Sequence, residues 1–459
     1  MKIFSPAFIS VLYVSSFAQG LDEIKMYFVP LDQGDANPMK EIMLKESGEK
    51  LKWGHLIEVY PEIEFQTIEG IGGAFNEIGG EALLSLNEEQ QKEVMESLFS
   101  DEGSGFTFCR TAIGASDFGI DAYSYSEKKN DYKMKNFSVE RDQQYVLPYI
   151  KGALAVQPDL LIFGSPWSPP GWMKTSGQMV GLQETPNTFR DEEKVYKAYA
   201  TYFRKYIQAY AENGVTIDRI CVQNENDANT KYPSCTMPPA QMLKLAKDYI
   251  IPDFEKNGIE TEVYAGTFRT AEQLDLIEFL TMGGYHKLAG VGIQYTSPFI
   301  LTDATKMDPQ LKMFHTEGKC YNGQNTAEQA NERLEEVASY INSGLTNFCY
   351  WNMILNETTK SGWDWDQNSL INIDRAKKTV QYNPDYNAMY IIGHFIKPGD
   401  KRIASISKRP MITVKSPDGT VKILIQNTDE KDSAYQLNMN GKSKKFIIPA
   451  KGISALVIR

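Results

Sequence analysis

The sequence predicts a (β/α)8 barrel carrying a side β-sandwich, and three observations predict it. Between about Gly70 and Asn352, eight short apolar runs alternate with longer helix-type segments, the order that builds a parallel barrel. Those runs are continuously apolar rather than alternating, as strands covered on both faces are. Two of them, Ile220-Cys221-Val222-Gln223-Asn224-Glu225 and Leu311-Lys312-Met313-Phe314-His315-Thr316-Glu317, stop at a glutamate. In a barrel the C-terminal strand ends form the active site, so the pattern aims two carboxyl groups into one mouth.

The elements follow in order. Met26-Tyr27-Phe28-Val29 and Leu56-Ile57-Glu58-Val59-Tyr60 read as strands, the second stopping at Pro61. The barrel begins with Glu69–Phe75, followed by a helix over about 87–99 with Asn87 as N-cap and Gln90 completing a capping box. Phe106–Ala112 is the second strand, then a loop over 114–125 and a helix over about 139–156. Leu160–Ser165 is the third and runs into Pro166-Trp167-Ser168-Pro169-Pro170, where prolines forbid continuation. The helix over 192–212 carries Tyr199, Phe203, Tyr206 and Tyr210 at helical spacing and stops at Asn213-Gly214. The fourth strand ends in Glu225, and a helix over about 240–256 follows. Thr261–Gly266 and Gly290–Tyr295 are the fifth and sixth strands, with a helix over about 274–280 between them. The seventh ends in Glu317, a helix spans 327–342, and Thr346–Asn352 is the eighth. After about Pro384 the helix pattern fades, and Met411–Val414, Val421–Ile425 and Lys445–Ile448 read as strands. The expected domains are a leader (1–19), N-terminal sandwich strands (20–66), the barrel (67–383) and a C-terminal sandwich segment (384–459). The first sandwich segment has no other sheet to join, so the two are expected to share one.

Composition excludes some functions. A formal charge of −11 over 459 residues without a basic cluster argues against nucleic-acid binding. One Lys, an apolar stretch and Ser16-Phe17-Ala18 give the first residues a secretory layout, too short to span a membrane comfortably, so a secreted or periplasmic protein without stable membrane insertion is expected. The four histidines have no ligand spacing, so no metal and no cofactor is expected. Of the five cysteines, Cys109, Cys221 and Cys349 sit in buried strands; Cys235 and Cys320 follow the two Glu-bearing strands and are the pair that could meet in a disulfide.

Acetal hydrolysis needs an acid to protonate the leaving oxygen and a carboxylate to meet the oxocarbenium-like centre. Glu225 and Glu317, on strands four and seven, face each other across a barrel mouth. Asp117, Trp167, Asn224, Tyr295 and Trp351 lie at the same ends and are the candidate sugar contacts. Each has a plainer use: Asp117 as a turn cap, Trp167, Tyr295 and Trp351 as packing. Arg110 lies in a buried strand, where an unpaired charge is costly, and is expected to pair with a catalytic carboxylate. His315 shares the Glu317 face by two-residue alternation, to pack there or to tune the carboxylate.

At these residues the chain resembles glycoside hydrolase family 30, which contains acid β-glucosidase. The segments are Gly70–Phe75, Arg110-Thr111-Ala112 with Ser116-Asp117-Phe118, Ser165-Pro166-Trp167-Ser168, Gln223-Asn224-Glu225, Thr316-Glu317-Gly318-Lys319-Cys320, and Trp351-Asn352 with Trp363. The resemblance implies a retaining mechanism with Glu225 as acid/base and Glu317 as nucleophile. It also implies that Asp117, Trp167, Asn224 and Trp351 contact the sugar. Three positions depart from the family pattern: Asn226 instead of Pro after the acid/base, Gln294 instead of His before Tyr295, and Asn76-Glu77 instead of Thr-Asp. A β-glucosidase or β-glucanase is the expected activity. β-Fucosidase, β-xylosidase and β-1,6-galactanase are alternatives within the family, and a carbohydrate-binding protein with a dead site is the alternative outside it.

Overall fold

A computed structural model describes residues 21, 23–182, 184–269 and 274–459. The expected leader, 1–19, lies outside the described residues. The strands are β1 (Ile24–Pro30), β2 (Lys40–Ile42), β3 (Leu56–Thr67), β4 (Gly70–Phe75), β5 (Phe108–Ala112), β6 (Leu161–Ser165), β7 (Arg219–Cys221), β8 (Glu262–Phe268), β9 (Gly290–Gln294), β10 (Met313–Glu317), β11 (Asn347–Asn352), β12 (Ile354–Asn356), β13 (Ile371–Asp374), β14 (Thr379–Tyr382), β15 (Lys401–Ile406), β16 (Met411–Lys415), β17 (Val421–Asn427), β18 (Ser433–Met439), β19 (Lys442–Ile448) and β20 (Gly452–Ile458).

Strands β4 to β11 form an eight-stranded parallel sheet in the order β10-β9-β8-β7-β6-β5-β4-β11. The (β/α)8 reading therefore holds. Strands β4, β9, β10 and β11 are buried at every residue, which is why their sequences carry no polar alternation. Gly72 shows how tight the packing is: a Cβ there would lie 2.1 Å from the Phe108 carbonyl oxygen. Between β10 and β11 the barrel is closed largely by side chains. Asn347 Oδ1 accepts the His315 N–H at 2.7 Å, its Nδ2 donates to the His315 carbonyl at 2.8 Å, and the Cys349 N–H donates to His315 Nδ1 at 3.1 Å.

The sandwich is one nine-stranded sheet, β19-β18-β3-β15-β16-β17-β20-β1-β2, folded on itself. Ile57, Tyr435 and Phe446 from one end share a core with Ile403, Ile423 and Leu456 from the other. Residues 45–47 pair back onto β19, bringing the two ends of the sheet together. The N-terminal strands join this sheet, as expected. Strand β3 does not stop at Pro61 but continues to Thr67. Its pairing with β15 jumps from Tyr60↔Ala404 to Glu64↔Ile403, and the missing N–H of Pro61 falls in that bulge.

The pattern reading fails at Pro384–Phe395, which is a helix and not sheet. Pro384 occupies its first turn, where a missing N–H costs nothing. The helix packs on the barrel: Asp385 takes Arg333 at 3.0 Å and the Tyr350 hydroxyl at 3.0 Å. Asn387 Nδ2 donates to the carbonyls of Pro30 and Gln33, which ties the sandwich to the barrel. Strands β15, β18 and β20 are not among the strands read from sequence. The five cysteines are all free and buried, so the Cys235–Cys320 pair is not a disulfide. Burial pushes both thiols up to about 12.

Strand β3 lies inside the sheet, between β18 and β15. A chain starting at Thr67 would expose both those edges and the shared core. It is expected to be insoluble on expression; a soluble, active truncation would show that the barrel does not need the shared sheet.

Candidate active site

The C-terminal strand ends gather the expected residues around one guanidinium. Arg110, on β5, has no solvent exposure. Its Nη1 donates to Glu317 Oε2 at 2.6 Å and to the Thr316 carbonyl at 3.1 Å. Nη2 donates to Asn224 Oδ1 at 2.6 Å and to Ser165 Oγ at 2.7 Å, and Nε also reaches Ser165 Oγ. The guanidinium lies over Trp167, 4.3 Å from the ring centroid, and Trp167 stacks on Trp351 at 4.9 Å. The expected partner of Arg110 is thus Glu317, and Ser165, named in the sequence only as a strand end and part of a family-like segment, is a further contact.

Glu317 is held at both oxygens, because the Tyr295 hydroxyl donates to Oε1 at 2.6 Å. Tyr295 therefore contacts the nucleophile candidate as well as lining the mouth. Both Glu225 and Tyr295 have left-handed backbones, φ 42° and 49°. Such conformations cost a non-glycine residue about 1–3 kcal/mol and persist only where surroundings impose them. Here Tyr295 follows directly on β9, and Glu225 lies four residues past the end of β7.

Glu225 lies beyond the β7 ladder, which stops at Cys221. Three contacts fix it. Its N–H donates to Thr267 Oγ1 at 3.0 Å, Gln294 Nε2 donates to Oε1 at 3.2 Å, and Arg269 Nη1 pairs with Oε2 at 3.0 Å. Burial pushes the carboxyl up to about 7; Arg269 opposes that shift, and the Glu317 and Asp227 charges add to it. Gln294 also accepts the Thr316 hydroxyl at 2.9 Å, so the residue at the family's His position bridges the two carboxylate-bearing strands without a titrating ring. At another departure, Asn226 Nδ2 donates to Asp275 Oδ2 at 2.6 Å and to the Met237 carbonyl. At the third, Asn76 caps the following helix and holds Asn352, while Glu77 accepts the Ile120 N–H and pairs with Arg141.

Asp117 is buried, and its carboxyl is raised well above the ordinary value by burial, then by Glu317 and Glu225. Its Oδ1 and the Trp351 Nε1 are buried without a hydrogen-bond partner. Both are open valences at the site. Asn224 Oδ1 is occupied by Arg110 and by the Thr267 hydroxyl, so its amide nitrogen is the group free to donate.

His315 does not reach Glu317. A register shift between the two residues breaks the strict alternation that placed them on one face. The imidazole stacks on Phe348 at 4.2 Å and accepts from Cys349, and burial keeps it neutral. It is a closure residue of the barrel. Arg269 escaped the sequence reading. The signal was the one that found Glu225: a charged residue directly after a buried strand, Glu262–Phe268. Among the described residues there is no cluster able to hold a metal ion.

Comparison with known proteins agrees with this geometry. The Glycosyl hydrolase family 30 TIM-barrel domain matches residues 68–255, which carry Arg110, Trp167, Asn224 and Glu225. That match spans the barrel from β4 to β7 and the helices that follow. The lysosomal acid glucosylceramidase of Mus musculus is 25% identical over 425 residues, covering 83% of this chain and 78% of that protein. The endo-1,6-β-D-glucanase of Neurospora crassa is 25% identical over 401 residues, 84% of this chain and 80% of that one. Among solved structures, SrfJ from Salmonella typhimurium superposes with a TM-score of 0.84 at 22% identity, covering 95% of this chain and 100% of that one. The endo-β1,6-glucanase BT3312 gives 0.81 at 22% identity, covering 95% and 98%. The chain is a glycoside hydrolase, similar to the enzymes of this family.

Arg269 favours the charged form of Glu225, so removing it raises the Glu225 pKa further above 7. In Arg269→Gln the basic limb of the kcat/KM–pH profile is expected to move up by about one unit, since an opposite charge at this range shifts a carboxyl by roughly 1–3. A limb that stays in place or moves down would show that the ion pair does not set the protonation of Glu225.

Proposed function

We propose that this hydrolase cleaves β-linked glucosides or β-glucans with retention of configuration, Glu225 serving as acid/base and Glu317 as nucleophile. The observation that carries the reading is the pair of carboxyls at one mouth, one raised by burial and the other bonded by donors at both oxygens. Glu225 is pushed up to about 7, so it carries a proton to give near neutral pH. Glu317 is gripped by a guanidinium and a phenol, which donate to a carboxylate. A carboxyl raised by its surroundings beside a second one held by donors is an arrangement in which one site can supply both acid and nucleophile.

In the first step Glu225 protonates the glycosidic oxygen while a Glu317 oxygen attacks the anomeric carbon. The aglycone leaves with the proton, and the sugar is bonded to Glu317. In the second step Glu225, now a carboxylate, removes a proton from water; the water oxygen attacks the anomeric carbon and Glu317 is released. Asp117 Oδ1, Trp351 Nε1 and the Asn224 amide bind sugar hydroxyls in this reading, and the Trp167–Trp351 pair walls the ring. The glucosylceramidase and 1,6-β-glucanase relatives support glucose as the sugar. The secretory layout of the first residues supports action outside the cytoplasm.

Retention requires the two carboxyl groups about 5–5.5 Å apart, too close for an intervening water. Proton NMR of a nitrophenyl β-glucoside digest should show the β-anomer first, with the α-anomer appearing only by mutarotation. An initial α product would make the enzyme inverting. In a panel of nitrophenyl glycosides the β-glucoside should have the highest kcat/KM; a fucoside, xyloside or galactoside in first place would replace the substrate assignment and keep the mechanism.

A further inference from the structure

Trp53 is 86% exposed, in the turn that leads into β3. A large ring left in water is unremarkable on a loose loop, but this turn is anchored at both ends. The His55 N–H donates to the Lys52 carbonyl. On one side Lys52 Nζ donates to Ser433 Oγ at 3.0 Å and pairs with Asp429 at 3.2 Å. On the other, His55 is fully buried and stacks on Tyr435 at 4.2 Å with the planes 2° apart. Its Nδ1 bonds the Ala434 carbonyl at 3.1 Å and its Nε2 takes Arg409 Nη2 at 2.9 Å. Between these anchors Gly54 has φ 87°, a left-handed conformation that a glycine adopts without strain. The fold therefore holds one indole out at a fixed place on the sandwich.

Beside the ring is a shallow hollow of about 410 Å³. Lys52, Arg409, Asp429, Glu430 and Lys431 line it with Trp53. Lys408 Nζ also lies over the ring, 5.8 Å from its centroid, so four cations face two carboxylates and the hollow disfavours a cationic ligand. A single aromatic face beside mixed donors and acceptors suits a neutral, polyhydroxylated ring, whose C–H face covers the indole while its hydroxyls meet the polar rim. An apolar protein partner would instead want a contiguous apolar patch.

We propose that Trp53 is the stacking platform of a glycan-binding site on the sandwich, distinct from the barrel mouth, that keeps a polymeric substrate at the enzyme. The choice of β-glucan as ligand rests on the function proposed above; the site itself does not. A second attachment point raises the local concentration of polymer at the mouth without touching the chemistry.

The test is native gel electrophoresis through pustulan, a β-1,6-glucan, or laminarin, a β-1,3-glucan, in a Glu317→Gln background that leaves the polymer intact. Retardation is expected with at least one glucan, to weaken at least fivefold with Trp53→Ala added, and to persist with Trp53→Tyr, which keeps an aromatic face. In the otherwise native enzyme, Trp53→Ala should lower kcat/KM on that polymer by about fivefold and leave a nitrophenyl β-glucoside within about twofold. Equal retardation with and without Trp53, or no retardation at all, would overturn the site. A Trp53→Ala protein altered only in self-association would also overturn it, making the ring a protein contact. Retardation that depends on Trp53 in an enzyme cleaving no β-glucoside would support the site and refute the function.

Discussion

The Arg110 guanidinium is the interaction on which the site depends. It is wholly buried, and its five N–H groups bond Glu317, Thr316, Asn224 and Ser165. A lone buried cation would be prohibitive; this one is balanced by a carboxylate at 2.6 Å and covered by indole and phenyl rings. Because its partners come from β6, β10 and the segment that leaves β7, one planar fork fixes their relative positions. A lysine, with a point charge and three donors, has no equivalent geometry.

The rest of the mouth hangs from that arrangement. Asn224, held by Arg110 and Thr267, precedes Glu225, whose backbone is forced into the left-handed region as the chain leaves β7. Gln294 and Thr316 connect Glu225 to the strand that carries Glu317. The two carboxyls are therefore set by one hydrogen-bond network reaching from Arg269 through Glu225 and Gln294 to Thr316, and through Arg110 to Glu317. Burial raises the Glu225 carboxyl against the opposing charge of Arg269, while Glu317 is bonded at both oxygens, by Arg110 and Tyr295.

The barrel was legible because its strands are buried on both faces, which writes continuous apolar runs into the sequence. The candidate pair, Glu225 and Glu317, was legible because a carboxylate ending such a run has few structural uses. Where reading failed, longer-range contacts decided. Pro384–Phe395 is helical because Asp385 and Asn387 find partners on the barrel and on β1, which no local pattern announces. Strands β15 and β18 mix polar and apolar residues in short runs that periodicity alone does not separate from loop, whereas β20 is a nearly continuous apolar run of the kind read elsewhere and was overlooked. His315 was misplaced because a bulge cancels the alternation between it and Glu317. Arg269 was missed although its position carried the same signal as Glu225, since a cation after a strand reads first as a solvated rim residue.

The central claim is the division of labour between Glu317 and Glu225, and covalent trapping measures it directly. A 2-deoxy-2-fluoro β-glucoside with a good leaving group slows both steps but still glycosylates the enzyme, so the intermediate accumulates. Peptide mass spectrometry should then find the fluoroglucosyl group on Glu317, with inactivation prevented by a competing β-glucoside. A label on Glu225 would reverse the roles, and turnover of the reagent without any covalent adduct would contradict the double displacement.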